Sequence, residues 1–170
     1  MRLPASRKFG FSLVEVLIVV AIFGLIFLVG SASYRSFSRR QLLESGVRQV
    51  RADLNLAREW ALSGKKPDTI GCNAFPLEAV EFLRTGVAAN GCTGSFRNSY
   101  LIRADCSGGG YADIKTANLP TGICLQNFVT IEFRSNAYYT PHGTGVTVSV
   151  QDAVTGQLIN IDIDESGNIR

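Results

Sequence analysis

From Val16 to Tyr34 the chain carries no charged residue over 19 positions, and the centre of this run, VLIVVAIFGLIFLV, is almost entirely aliphatic or aromatic. At ~1.5 Å per residue a helix over the run spans roughly 28 Å, about the thickness of a bilayer's hydrocarbon layer. A chain of 170 residues has room for one further domain but not for a core large enough to swallow such a helix. An ordinary secretory signal is the competing reading, because Gly30, Ser31, Ala32 and Ser33 imitate its small-residue cleavage site. Arg2, Arg7 and Lys8 precede the run, which predicts an N-terminus on the cytoplasmic side and the remainder outside.

The net charge of +3 conceals how the charges are arranged. The first ten residues hold three basic groups and no acid, and residues 11–34 hold only Glu15. Residues 35–66 hold eight basic residues against Glu44, Asp53 and Glu59, whereas residues 67–170 hold ten acids against six bases. The order is therefore a basic tip, an apolar segment, a basic stalk and a mildly acidic head. A basic total usually raises the question of nucleic acid, but the largest segment here is acidic and has no aromatic-basic strip, so direct nucleic-acid binding is not expected. The hydrophobic fraction of 46% excludes a disordered chain.

Glu15 is the anomaly within the apolar segment. A carboxylate at membrane depth costs on the order of 2.5–3.5 kcal/mol, and such residues are usually functional and paired. With this residue a wider pattern is complete: Gly10-Phe11-Ser12-Leu13-Val14-Glu15, a short basic leader before it and a long apolar run after it. This pattern resembles the class III signal of type IV prepilins and pseudopilins. The resemblance implies cleavage between Gly10 and Phe11 by a membrane-embedded prepilin peptidase, N-methylation of Phe11 by the same enzyme, and Glu15 as the fifth residue of the mature chain. It also implies an α+β, pilin-like fold, in which a long N-terminal transmembrane and spine helix packs on a C-terminal antiparallel β-sheet head. The implied location is the inner membrane, single-pass with the head outside the cytoplasm, followed by an extracellular or periplasmic filament. The implied partners are other pilin or pseudopilin subunits, the peptidase, an inner-membrane assembly platform and the lipid bilayer.

The charges are consistent with that implication. A cut after Gly10 removes three cations and creates one amine at Phe11, leaving 14 basic and 14 acidic side chains. That amine on one subunit offers Glu15 of a neighbour a counter-charge, which would offset the membrane cost and set the axial register of addition.

Past Tyr34, Leu43, Val47, Val50, Leu54, Ala57 and Ala61 recur at steps of three or four, while Arg48, Arg51, Asp53, Arg58 and Glu59 fill other faces. Gly64, Lys65, Lys66 and Pro67 form a stop signal, so one helix is predicted from about Phe11 to Ser63. Pilin spines often contain a proline; here none lies between Phe11 and Lys66, and Gly24, Gly30 and Gly46 are the candidate weak points. The expected organisation is a leader over 1–10, a transmembrane half-helix over 11–34, an amphipathic half-helix over 35–66 and a β-rich head over 67–170. Strands are expected at Ala79–Arg84, Tyr100–Arg103, Ile123–Gln126, Val129–Arg134, Gly145–Val150 and Leu158–Ile163, with a short pairing at Asn168–Arg170. The IEF strand, the glycine-containing loop at Pro141–Gly145, VTVSV and NIDIDESGNIR resemble the heads of GspH/FimT-like minor pilins and pseudopilins, as does the stalk segment DLNLAREWALSGKKP.

Cys72, Cys92, Cys106 and Cys124 lie in the acidic segment, and no two sit at C-x-x-C spacing, which weakens zinc and thioredoxin-like readings. In an exported head the even count fits two disulfides. Three pairings are open; the sequential one, Cys72–Cys92 and Cys106–Cys124, closes two short loops and is the one expected.

Other features have plain readings. Asp162, Asp164, Ser166 and Gly167 mimic the start of a calcium loop, but the bidentate acid that ends such a loop is missing from the sequence, so a hairpin turn is expected and no metal. His142 is the only histidine and stands in a Pro-His-Gly turn without catalytic partners. Gly108–Gly110 lacks the Lys-Ser/Thr of a phosphate loop, and Trp60 reads as core or rim. The basic stalk reads as a solvated face or one that pairs with acids of a neighbouring subunit. No enzyme activity and no cofactor are expected. Two roles share this anchor: a minor subunit of a type IV pilus or competence filament, and a minor pseudopilin of type II secretion. The four-cysteine stretch 64–125, read as a long loop region, leans toward the pilus.

Intact-mass analysis of protein purified from its native membrane is expected to show a mature chain beginning at N-methylated Phe11. A chain beginning after Ala32 or Ser33 would instead identify an ordinary secretory signal.

Overall fold

The computed structural model describes residues 12–68, 72, 75–86, 91–92, 94, 96–108, 110–126, 130–134, 138–139, 145–164 and 166–170, without the side chains of 29–33 and 138–139. One α-helix and eight strands are formed among them: α1 (Leu13–Ser63), β1 (Leu77–Thr85), β2 (Ser99–Cys106), β3 (Gly110–Asn118), β4 (Ile123–Leu125), β5 (Ile131–Phe133), β6 (Tyr138–Tyr139), β7 (Val146–Asp152) and β8 (Leu158–Ile163). The chain divides into two compact units, Met1–Arg39 and Arg40–Arg170.

α1 ends where its sequence stops favouring a helix. The Lys65 amide donates to the Trp60 carbonyl at 3.1 Å and the Gly64 amide to the Ala61 carbonyl at 3.4 Å, with Gly64 at φ 63°. This is the Schellman arrangement, in which a left-handed residue lets the chain turn back and satisfy the last carbonyls. Within α1 the residues from Leu13 to Ser63 are helical throughout. Gly46, expected as a weak point, has a packing role instead: a Cβ there would lie 2.9 Å from Ile123 Cγ2, so the missing side chain lets the helix approach β4 closely.

In the second unit the strands form two antiparallel sheets, ordered β3-β2-β1-β5-β6 and β4-β7-β8. The helical stripe Leu43, Val47, Val50, Leu54, Ala57 and Ala61 joins Val80, Phe82, Tyr100, Ile102, Ile131 and Phe133 of the first sheet in one core. Ile123, Leu125, Val148, Val150, Ile161 and Ile163 of the second sheet belong to the same core. The register explains the sorting of faces: Phe82 stands opposite Ile102 and Ile131, and Val80 opposite Ala104 and Phe133, so every second residue of three strands points the same way. The arrangement is α+β and pilin-like, an N-terminal helix packed on antiparallel sheet.

The expected strands agree in place with β1, β2, β4, β5, β7 and β8, and the terminal pairing forms through a bridge between Ile163 and Ile169. Two strands go beyond expectation. β3, GYADIKTAN, is an edge strand with mostly exposed residues, and polar residues dilute its alternation. β6 has two residues and gains its identity only from pairing with β5. The stretch 64–125 is therefore not a long loop region, since it supplies β1, β2, β3 and β4.

The disulfide pairing also differs from the sequential expectation. The bonds are Cys72–Cys106 and Cys92–Cys124, with Cα separations of 5.4 and 5.8 Å. The β1–β2 hairpin is the cause. Leu77 pairs with Cys106 at one end and Thr85 with Ser99 at the other. Cys72, just before β1, therefore meets the end of β2, whereas Cys92 sits in the connection at the opposite end. A nine-residue strand at ~3.3 Å per residue keeps those two cysteines roughly 30 Å apart. Cys92 instead lies against β4, where Arg97 bridges Leu125 and the Cys92 sulfur approaches the Ile123 carbonyl.

Non-reducing peptide mapping of exported protein is expected to return Cys72–Cys106 and Cys92–Cys124. Denaturant unfolding of the C92S/C124S double variant should show a loss of roughly 2–4 kcal/mol.

Candidate functional site

The helix begins at the residues that carry the processing pattern. The Ser12 carbonyl accepts the Glu15 amide at 3.0 Å and the Val16 amide at 3.3 Å, which closes the first turn. Glu15 is thus a first-turn acid, close to the positive end of the helix dipole. It is exposed among Leu13, Val14, Val16 and Leu17, all exposed as well, and among the described residues it forms no ion pair. Gly10 and Phe11, the expected cleavage and methylation positions, lie outside the described residues. Every described large apolar side chain from Leu13 to Leu28 is exposed. Contiguous apolar surface of this extent marks a face that something else covers. Among the described residues no helix is long and apolar enough to cross a membrane. The described side chains of the apolar run end at Leu28, and those of residues 29–33, which continue it toward Tyr34 in the sequence, lie outside the described set.

A second constellation joins the helix to the first sheet, and it corrects the placement of Asp53 on an outer face. Asp53 is 5% exposed. Its Oδ2 accepts the Tyr100 hydroxyl at 2.7 Å and its Oδ1 accepts Lys115 Nζ at 2.6 Å. Gln49 Nε2 donates to the Tyr100 oxygen at 3.2 Å and to the Asn118 carbonyl at 3.1 Å. Register puts Lys115 here: it pairs with Ile102, as Ala117 pairs with Tyr100, so both face the helix side of the sheet. Burial raises the Tyr100 hydroxyl pKa far above its ordinary value, and the Asp53 hydrogen bond and charge add to the rise. The phenol stays a neutral donor and the carboxylate an acceptor. A sequence signal for this site exists: Asp53 stands three residues after Val50 and four before Ala57, beside the apolar stripe, where an acid needs an internal partner. Which partner cannot be inferred without the register of β2 and β3.

On β1 and β2, Glu81 is likewise buried, and it accepts Arg103 Nε from the position directly opposite it in the register. The Arg103 guanidinium lies 3.8 Å from the Tyr111 ring centroid. Trp60 packs at the core rim with Lys65 Nζ 4.7 Å from its ring centroid, in line with the sequence reading.

The terminal hairpin accounts for the calcium-like residues. Asp164 accepts the amides of Ser166 and Asn168, each at 2.9 Å, and Asn168 Nδ2 at 3.0 Å. The Asn168 backbone and side-chain hydrogen bonds hold the Asp164 carboxyl below its ordinary range. Asp162 accepts the Thr147 hydroxyl at 2.7 Å, and Gly167 turns the chain at φ 74°. Among the described residues no group of three side chains could hold a metal ion. Gly108 and Gly110 turn the chain between β2 and β3 at φ 77° and 88°. Gly109 and His142 lie outside the described residues.

Residues 5–31 match the family model described as the prokaryotic N-terminal methylation motif. No curated protein and no solved structure matches the chain. The motif supports a type IV pilin-like or pseudopilin subunit and points to a structural subunit. It implies a membrane-anchored precursor, processing by prepilin peptidase and assembly with other pilin-type subunits.

The Asp53–Tyr100 bond yields a pH prediction. Tyr100 has a raised pKa in the folded protein, so the stability it contributes is complete below the unfolded value of about 10 and is lost as pH rises above it. Tyr100→Phe should cost about 1–2 kcal/mol at neutral pH, and its deficit relative to wild type should shrink above about pH 10. Denaturant unfolding at several pH values checks this, and absorbance titration should show one phenol ionising only on unfolding.

Proposed function

We propose that this chain is a minor subunit of a type IV pilus or competence filament, cut after Gly10, methylated at Phe11 and polymerised through its N-terminal helix. The observation that carries this reading is the methylation motif over residues 5–31, continuous with a helix whose apolar N-terminal side chains are exposed around Glu15, which has no ion pair among the described residues. In this reading residues 1–10 are a leader, 11–34 a transmembrane half-helix, 35–66 an amphipathic half-helix and 67–170 an exported head. The uncharged run to Tyr34 supports membrane anchoring, and the two disulfides support an oxidising compartment. The segments behind the GspH/FimT-like resemblance lie partly in strands, IEF on β5, VTVSV on β7 and the start of NIDIDESGNIR on β8. Glu15 then meets the Phe11 amine of a neighbour, which removes a lone carboxylate from an apolar phase and sets the axial step between subunits. A minor pseudopilin of type II secretion has the same anchor chemistry, and phenotype separates the two.

Glu15→Ala is expected to leave membrane insertion and the head's unfolding curve unchanged while reducing co-purification with filaments at least tenfold. Normal incorporation would remove the charge-pairing role. Deleting the gene should reduce surface pili, twitching or DNA uptake and spare exoprotein secretion; lost secretion with normal pili would establish the pseudopilin.

A further inference from the structure

Immediately after the uncharged run, α1 carries Tyr34, Arg35, Phe37 and Arg39 within about one and a half turns, ahead of the first buried stripe residue, Leu43. Tyr34 is 72% and Phe37 59% exposed. Arg35 is exposed and Arg39 partly so, and among the described residues neither guanidinium forms an ion pair. The next arginine along the helix, Arg40, does have a partner, Glu44 at 3.1 Å. Spacing places Arg35 and Arg39 above one another on one side and Tyr34 and Phe37 together roughly 150° around the helix, so that the four residues encircle it. Because they share one continuous helix with the apolar run, their height relative to that run is set by the helical rise.

Rings with an apolar body, followed at once by unneutralised guanidinium groups, suit the layer where acyl chains give way to phosphates. Aromatic residues concentrate at that level, and arginine binds phosphate oxygens through two parallel hydrogen bonds. We propose that Tyr34, Arg35, Phe37 and Arg39 form a collar that binds anionic phospholipid headgroups in the leaflet on the head side of the membrane. This rests on the membrane-anchored reading of residues 11–34. A processing consequence follows. Before cleavage Arg2, Arg7 and Lys8 balance the collar from the opposite side of the run. After a cut at Gly10 those cations are gone, and electrostatic attachment of the mature chain shifts to the head-side leaflet. The charge complementarity is with lipid; the alternative occupant, the acidic head of a second copy, is an outcome of the test.

The test uses the mature full-length chain carrying Tyr34→Trp and Trp60→Phe, so that its single tryptophan reports from the collar. The protein is reconstituted in phosphatidylcholine vesicles doped with brominated phosphatidylglycerol or brominated phosphatidylcholine. Quenching is expected to give about a fivefold preference for phosphatidylglycerol. In the same background R35Q/R39Q should reduce the preference to about one, and R35K/R39K should retain part of it. Carbonate extraction of every variant reports insertion separately. No preference before the arginine substitutions, or one that R35Q/R39Q leaves unchanged, overturns the collar while leaving the anchor intact. Collar emission that follows protein density and ignores the brominated lipid assigns the site to a second copy and also overturns it. Extraction of the unsubstituted protein by carbonate overturns the anchored reading and the collar together.

Discussion

The second unit depends on one docking event: the stripe from Leu43 to Ala61 settling against two sheets that have no other common partner of this size. Neither sheet closes on itself, and their orders β3-β2-β1-β5-β6 and β4-β7-β8 leave each with an inner face to cover. Full burial of each large aliphatic side chain in that stripe is worth roughly 1.5–3 kcal/mol, so the helix supplies a large part of the core's stability. Apolar burial is indifferent to small slides along the helix. The Asp53 bonds to Tyr100 and Lys115, the Gln49 bond to Asn118 and the close approach of Gly46 to Ile123 are not. A slide of one turn would leave a buried carboxylate without its donors, a loss on the order of 3–5 kcal/mol. Polar groups thus select the register of a contact whose strength is apolar.

The disulfides act on the same problem from the sheet side. Cys72–Cys106 closes the open end of the β1–β2 hairpin, and Cys92–Cys124 ties the connection at its other end to the second sheet. The crossing of the two bonds follows from antiparallel geometry, which puts consecutive cysteines at opposite ends of a strand. Cys92–Cys124 thereby ties the first sheet's connection to the second sheet, in a unit that otherwise relies on the helix to hold both sheets over one core.

The first unit obeys a different rule. Its described large apolar side chains are exposed, so isolated stability is not what they were selected for. An assembly that buries them in lipid or among like helices gives the same residues a function. In the proposed filament Glu15, the single charged residue of 11–34 in the sequence, is the group that sets axial position. The motif over residues 5–31 is confined to this part of the chain.

The sequence by itself determined the helix, its end at Gly64, the apolar run, the processing pattern and most strands of the head. These depend on periodicity, charge and turn chemistry between residues near each other in the chain, and such local signals survive in a linear string. Only the tertiary structure decided what Asp53 binds, which cysteines join, why Gly46 is a glycine, and that GYADIKTAN is a strand. Each of these depends on register between segments far apart in sequence. Asp53 meets Tyr100 and Lys115 across separations of 47 and 62 residues, and Cys72 meets Cys106 across 34. A side chain's own neighbours say that it needs a partner, but strand pairing alone says which one stands opposite.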